Sequence, residues 1–289
     1  MEKGVRLDFE VDFKNGGSLR GQDLQVELPG EQASDEELAK TLLNDMRLLP
    51  VRQVRVRTTE RQAEAHPHQA QAGLVDLSHT VYDGLVTYKG LPAPVICDFL
   101  SREASREHYA PGTEFQIGKI EMIANTGTYV DCPFHRYADG KDLSEVGLDS
   151  FAELEGVLLR ADYREGLAVD QEAFQGLDVR GKAVLVHTGW AEHWDTEAYF
   201  EAHPFLTEQA AVHLRDQGAR LVGIDSLNID DTRKKDRPVH STLLRAEVLV
   251  VEHLCHLEAV PEQGFRFSAI PPKFKGVGTF PVRAFARIG

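Results

Sequence analysis

The chain has 289 residues, 42% hydrophobic and 27% charged, which is the make-up of an ordinary folded protein with length enough for a large core. Its net charge of −14 repels a phosphate backbone, so nucleic acid is not an expected partner. No apolar run reaches the roughly 18–20 residues that span a bilayer, so no membrane partner is expected either.

The first residues, "MEKGVRLDFEVDF", have neither signal-peptide nor transit-peptide character. Three scattered cysteines, Cys97, Cys132 and Cys255, form no disulfide framework and fit a reducing cytoplasm. Val5, Leu7, Phe9, Val11 and Phe13 recur at every second position, which predicts a half-buried strand. Asn15-Gly16-Gly17 reads as a turn, and "LQVELP" (24–29) as the returning strand. Ser34-Asp35-Glu36-Glu37 is an S-x-x-E capping box for a helix carrying Leu38, Leu42, Leu43 and Met46. "VRQVRVRT" closes the segment as a third strand, with its arginines on a solvated face. Residues 1–60 are therefore expected as a small ββαβ extension, followed by a polar linker at 61–72. His66 and His68, around Pro67, read as a chance surface pair.

From Gly73 the texture changes to short apolar runs broken by Gly, Pro and Asp. "VLLRADY" (157–163), "AVLVHTGW" (183–190), "RLVGIDS" (220–226) and "EVLVVEHL" (247–254) predict buried strands. Between them, "TEQAAVHLRDQG" (207–218) has helical spacing at Ala210, Ala211 and Leu214 and a stop at Gly218, and His213 reads as a surface residue of that helix. Strands alternating with helices predict a mixed α/β domain over 73–289.

Two stretches carry candidate chemistry. In "NTGTYVDCPFH" (125–135), Asp131 and His135 stand four apart around the rigid Pro133. A carboxylate and an imidazole so placed can bind a metal or act as base and orienter, and a buried pair capping a turn would look the same. In "GIDSLNIDDTRKKDRPVHSTLLRAEVLVVEHL" (223–254), Asp225 ends an apolar strand and His240 precedes a helix-like "STLLRAE". Glu252 lies inside the apolar run "VLVVEHL", where a carboxylate is costly without a cation, a proton or hydrogen bonds. Metal ligation or a protonated Glu would each account for it.

These segments resemble the cyclase superfamily that contains bacterial kynurenine formamidases and isatin hydrolases. "DLSHTVYDGLVTYKGLPAP" (76–94) is similar to the family's first strand and its aromatic loop on the substrate side. "NTGTYVDCPFH" aligns without gaps on the motif H-x-G-T-H-x-D-x-P-x-H. "GID…VHSTLL…VVEHL" is similar to the segment that supplies the last metal-binding His and Glu.

The resemblance implies a swivelling β/β/α-type domain with a mixed sheet, a homo-oligomer, and hydrolysis of an aryl formamide, lactam or related cyclic amide or ester. It implies Asp131, His240 and Glu252 as metal ligands, His135 as acid–base, and Tyr88 and Trp190 as aromatic neighbours of the substrate. The two motif histidines that would hold a first metal are replaced by Asn125 and Tyr129. One divalent metal is therefore expected instead of two, zinc foremost or else manganese, with Asn125 and Tyr129 able to donate hydrogen bonds to a substrate carbonyl. A metal-free site pairing Tyr129 with His135, or a non-catalytic ligand-binding or scaffold member with a degenerate metal site, are the other readings. His187 and His193, around Trp190, are expected near the pocket. Of the two histidines that follow Glu252, His253 should point away from it along a strand, and His256 is a second replacement ligand to consider.

Overall fold

A computed structural model of the chain describes residues 73–289 in full and, before them, the strands at residues 4–13, 18–27 and 51–61. The chain divides into two compact units, Met1–Gln69 and Ala70–Gly289. In the first, β1 (Gly4–Phe13) lies between β2 (Ser18–Glu27) and β3 (Val51–Arg61), antiparallel to both. The expected strand at 24–29 is thus a longer one that begins six residues earlier. The turn at 15–17, the helix at 34–46 and the linker residues 62–72 lie outside the described residues.

The second unit holds the remaining strands: β4 (Gly73–Asp76), β5 (Val95–Leu100), β6 (Ile117–Glu121), β7 (Tyr129–Asp131), β8 (Leu154–Arg160), β9 (Ala168–Val169) and β10 (Ala183–His187). They continue with β11 (Phe205–Leu206), β12 (Leu221–Ile224), β13 (Leu249–Glu252), β14 (Phe265–Ser268), β15 (Thr279–Pro281) and β16 (Phe285–Ile288). Nine of them form one mixed sheet in the order β15-β7-β13-β12-β10-β8-β14-β16-β4. Its centre, β13-β12-β10-β8, is parallel, and antiparallel pairs flank it on both sides. The four apolar runs expected as buried strands are those four central strands.

Side chains alternate between two cores. Val184, Val186, Val222, Ile224 and Val250 face one way, and Leu185, Leu221, Leu249 and Val251 the other. The first face is covered by helices. After the single-turn helices α1 (Arg102–Ser105) and α2 (Pro133–Arg136) come α3 (Glu208–Gln217) and α4 (Pro238–Arg245). In α3 the Thr207 hydroxyl caps the start and Gly218 ends the helix with φ at 81°, as its spacing predicts.

In α4, Val239, Leu243 and Leu244 are fully buried against this face. Truncating one such Leu to Ala typically costs about 2–5 kcal/mol, so the position of α4 is well determined. The helix starts earlier than expected, with Pro238 in its first turn, and His240 lies inside it instead of ahead of it. None of the described helices is long and apolar enough to cross a membrane.

Candidate active site

Strand pairing assembles the site from segments far apart in sequence. In the ladder, Tyr129 lies opposite Glu252 on one side and Pro281 on the other, while Asp131 lies opposite Val250 and Thr279. Because side chains alternate along a strand, Tyr129 and Asp131 project to the same face as Val250 and Glu252, the face that α4 covers. His240, on the first turn of α4, comes down onto this group from the helix side.

Asp230 fixes His240. Its carboxylate accepts the α4 backbone N–H groups of Val239 (2.8 Å) and His240 (3.0 Å), which have no partner inside the helix. The same carboxylate lies 2.6 Å from His240 Nδ1. The imidazole therefore carries its Nδ1 proton toward Asp230 and turns Nε2 inward, 3.5 Å from Asp131 Oδ2 and 3.6 Å from Glu252 Oε1. Burial by itself lowers the pKa of His240, but Glu252 and the aspartates Asp131 and Asp230 outweigh it and raise it to about 10. Asp131 is fully buried, and its Oδ2 has no hydrogen-bond partner among the described residues. His240 Nε2 faces that oxygen at ion-pair range without hydrogen-bonding it.

On the other side of Asp131, the Thr279 hydroxyl donates a short hydrogen bond to Oδ1. The same hydroxyl lies 2.7 Å from His135 Nδ1. Thr279 has one hydroxyl hydrogen, and Asp131 receives it, so His135 Nδ1 is the donor in the second contact. That leaves His135 Nε2 as the free lone pair, on a side chain about one-third exposed. Pro133 starts the turn that carries His135. Gly278 lets β15 approach it: a Cβ there would sit 2.3 Å from the backbone nitrogen of His135. Sequence reasoning missed Thr279 and Asp230. A short hydroxyl in a closing strand carries no signal by itself, but Asp230, in an Ile-Asp-Asp loop after an apolar strand, resembles Asp225 in context and was equally open to notice.

Asn125 and Tyr129 stand beside this centre. Tyr129 is buried, and its hydroxyl donates to Glu252 Oε2 at 2.5 Å. The Asn125 amide in turn hydrogen-bonds the phenol oxygen. Burial, reinforced by Glu252 and Asp131, holds the Tyr129 pKa well above its ordinary value, so it remains a neutral phenol. Glu252 also accepts from Ile229 N–H at 2.6 Å and from the Asn228 amide at 3.4 Å. Burial still pushes its carboxyl up, to about 7, against the pull of His240. The expectation that Tyr129 donates to a substrate carbonyl is therefore corrected: its one hydroxyl hydrogen is already committed to Glu252.

Asp131, His135 and His240 each offer a ligand atom, all within 4.8 Å of one another, and Glu252 Oε1 adjoins them. Two imidazole nitrogens and two carboxylates, one of them with a buried oxygen that lacks a hydrogen-bond partner among the described residues, fit a divalent metal ion. A cavity of about 210 Å³ opens above them, with Tyr88 and Leu91 on its apolar wall.

Other candidates lie elsewhere. Trp190 does not line this cavity; it is buried with Tyr199 and Leu227. His193 packs edge-on to Trp190, and His187 Nδ1 lies 3.0 Å from an Arg160 nitrogen. Asp225 clamps the turn after β10, accepting from Thr188 N–H (2.8 Å), Thr188 Oγ1 (2.6 Å) and Gly189 N–H (2.8 Å). His253 follows Glu252 but has φ at 57° and turns into an aromatic cluster, with Nδ1 3.0 Å from the Tyr199 hydroxyl. His256 Nδ1 lies 2.9 Å from the Asp76 carbonyl.

A nine-stranded mixed sheet with a His–carboxylate centre on its helical face defines the class. The Cyclase family model matches residues 75–231, more than half of the chain, and the chain belongs to that family. Among individual relatives, it is 28% identical over 185 residues to a kynurenine formamidase of Geobacillus thermodenitrificans, covering 63% of this chain and 85% of that protein. It is 25% identical over 214 residues to a kynurenine formamidase of Bacillus cereus, covering 74% and 96%. The structure of a protein described as a predicted metal-dependent hydrolase from Bacillus stearothermophilus superposes with a TM-score of 0.59 at 27% identity, covering 75% and 98%. Isatin hydrolase A from Labrenzia aggregata shares the fold, with a TM-score of 0.64 at 20% identity over 74% and 93%.

Proposed function

We propose that this chain is a hydrolase of a small aryl formamide, or of a related cyclic amide or ester, that works with one divalent metal ion, zinc in the first instance. The observation that carries this reading is the pairing of His240 with Asp131. One imidazole nitrogen is anchored by Asp230, the other is aimed at a buried carboxylate oxygen that accepts no hydrogen bond from the described residues. Asp131, His240 and Glu252 would hold the ion, Glu252 Oε1 lying 3.6 Å from His240 Nε2, while His135, about one-third exposed, would stay free for proton transfer. When bound, such an ion supplies positive charge that acidifies water and polarises a carbonyl. Asn125 and Tyr129 take the place of a second ion's imidazoles; Tyr129, itself hydrogen-bonded by Asn125, ties down Glu252.

The chain's own residues supply the proton transfers. With Nδ1 held by Thr279, His135 Nε2 takes a proton from the attacking water as its oxygen bonds to the substrate carbonyl carbon. The same nitrogen returns that proton to the departing amine nitrogen as the C–N bond breaks, giving acid and amine. Tyr88 and Leu91 present an apolar wall to an aryl ring. A dry cavity of about 150 Å³ is known to accept benzene, so about 210 Å³ suits one ring with a short substituent.

The kynurenine formamidase relatives favour a formamide, which makes formanilide the first substrate to assay. Protein purified without added metal should contain about one ion per chain, counted by elemental analysis. His240→Ala should lose that ion and the formanilide hydrolysis together. Full metal retention in that variant would overturn the ligand assignment, and two ions per chain in the parent would overturn the one-metal reading.

A further inference from the structure

Two arginines line the same cavity and have no role in the chemistry above. Arg136 ends α2 and Arg237 immediately precedes α4, so they stand next in sequence to, or three before, the two functional histidines. Each is held in place along one edge. Arg136 Nε donates to the Ser241 hydroxyl at 3.2 Å, and its guanidinium lies over the Tyr137 ring, 5.4 Å from the centroid. Arg237 Nη1 donates to the Lys234 and Asp236 carbonyls at 2.6 and 2.8 Å. Both Nη groups of Arg136, and Nε and Nη2 of Arg237, have no hydrogen-bond acceptor among the described residues.

Neither guanidinium has a carboxylate within ion-pair distance among the described residues, although acidic residues outnumber basic ones 46 to 32 in this chain. Several other arginines do, Arg164 with Glu192, Arg245 with Asp139 and Arg233 with Asp231; Arg102, Arg180 and Arg266 have none among the described residues either, but none of those three lines the cavity. The floor of the cavity is the opposite case, a cluster of carboxylates around His240. Against the protein's overall negative field, a substrate's acid group would be drawn to the part of the wall that offers guanidinium forks.

We propose that Arg136 and Arg237 form a carboxylate subsite, so that the preferred substrate is a one-ring amide carrying an acid group away from its scissile carbonyl. This rests on the hydrolase reading for the word substrate, but the subsite itself is a matter of binding and can be measured without turnover. Guanidinium–carboxylate hydrogen bonds are charge-assisted and, where bidentate, also fix orientation, which would place the ring against Tyr88 with its amide toward His135.

The test is equilibrium titration of the full chain with 3-phenylpropanoate and with its neutral counterpart 3-phenylpropanamide. The acid should bind the parent at least about tenfold more tightly, a typical margin for a charge-assisted contact, and the preference should shrink as salt rises. In Arg136→Gln with Arg237→Gln, the preference should fall to within about twofold at an unchanged thermal midpoint. The two single Lys variants, which keep the charge but lose the fork, should fall between, and they decide the matter if the double variant does not fold. Equal binding of acid and amide by the parent, a preference that survives in the folded double Gln variant, or a preference left undiminished in both Lys variants, overturns the subsite. Parallel turnover assays with formanilide and 4-formamidobenzoate separate the two readings. Hydrolysis without any acid preference removes the subsite and leaves the hydrolase, whereas acid preference without hydrolysis of either compound removes the hydrolase and leaves the subsite.

Discussion

Two groups of histidines lie on either side of Tyr129, and they show how surroundings decide what an imidazole can do. On the cavity side, His240 is ringed by Asp131, Asp230 and Glu252, and its pKa rises to about 10. On the far side, His79 stacks flat on Trp194 with ring centroids 3.8 Å apart, and His253 sits among Tyr129, Tyr199 and Trp194. Burial lowers the pKa of His79 to about 4 and that of His253 to about 3. Glu252 and His253 are neighbours in the chain, yet the left-handed turn at His253 sends one to the cavity and the other into the aromatic cluster. Carboxylates make an imidazole a cation or a metal ligand; aromatic rings keep it a neutral filler.

The comparison can be broken first at His135. His135→Ala should lower formanilide turnover by roughly 10²–10⁴, the usual worth of a positioned acid–base, with metal content nearly unchanged. Metal lost from that variant would make His135 a ligand and move Glu252 out of the ligand set.

A smaller effect is expected at Asp230. Asp230→Asn keeps the shape but weakens the grip on His240 Nδ1, and metal affinity should fall by about 10–100-fold in chelator competition. An unchanged affinity would mean that the orientation of His240 is set by the packing of α4 alone.

The smallest effect belongs to the aromatic side. His79→Phe should leave metal content and turnover unchanged and make the protein less sensitive to acid. The sign follows from its lowered pKa. Below about pH 6.5 the unfolded chain takes up a proton at His79 that the folded chain refuses until about pH 4, so stability falls as pH drops through that interval. Removing the imidazole should flatten that part of the melting-temperature profile. A profile that keeps its slope would show that His79 is protonated in the fold and that the aromatic side is not the neutral environment described.

Much of this was legible in the sequence. The four central strands announced themselves as apolar runs, because a parallel strand buried on both faces has no polar alternation to hide in. Helix α3 carried its own start and stop at Thr207 and Gly218. Asp131, His135, His240 and Glu252 could be singled out because a carboxylate in an apolar strand and a His after Pro are chemically conspicuous. What tertiary structure alone decided was which atoms meet. Thr279 reaches Asp131 because β15 pairs with β7, a contact across 148 residues that no local pattern encodes. Asp230 and Asp225 look alike in sequence, but one holds His240 and the other a turn, since only their distance from α4 distinguishes them. Tyr129 read as a donor for substrate until the register of β7 on β13 put Glu252 opposite it and took up its one hydrogen. Sequence fixes the identity and local spacing of polar groups; the pairing of distant strands fixes which lone pairs and protons remain free, and the chemistry depends on those.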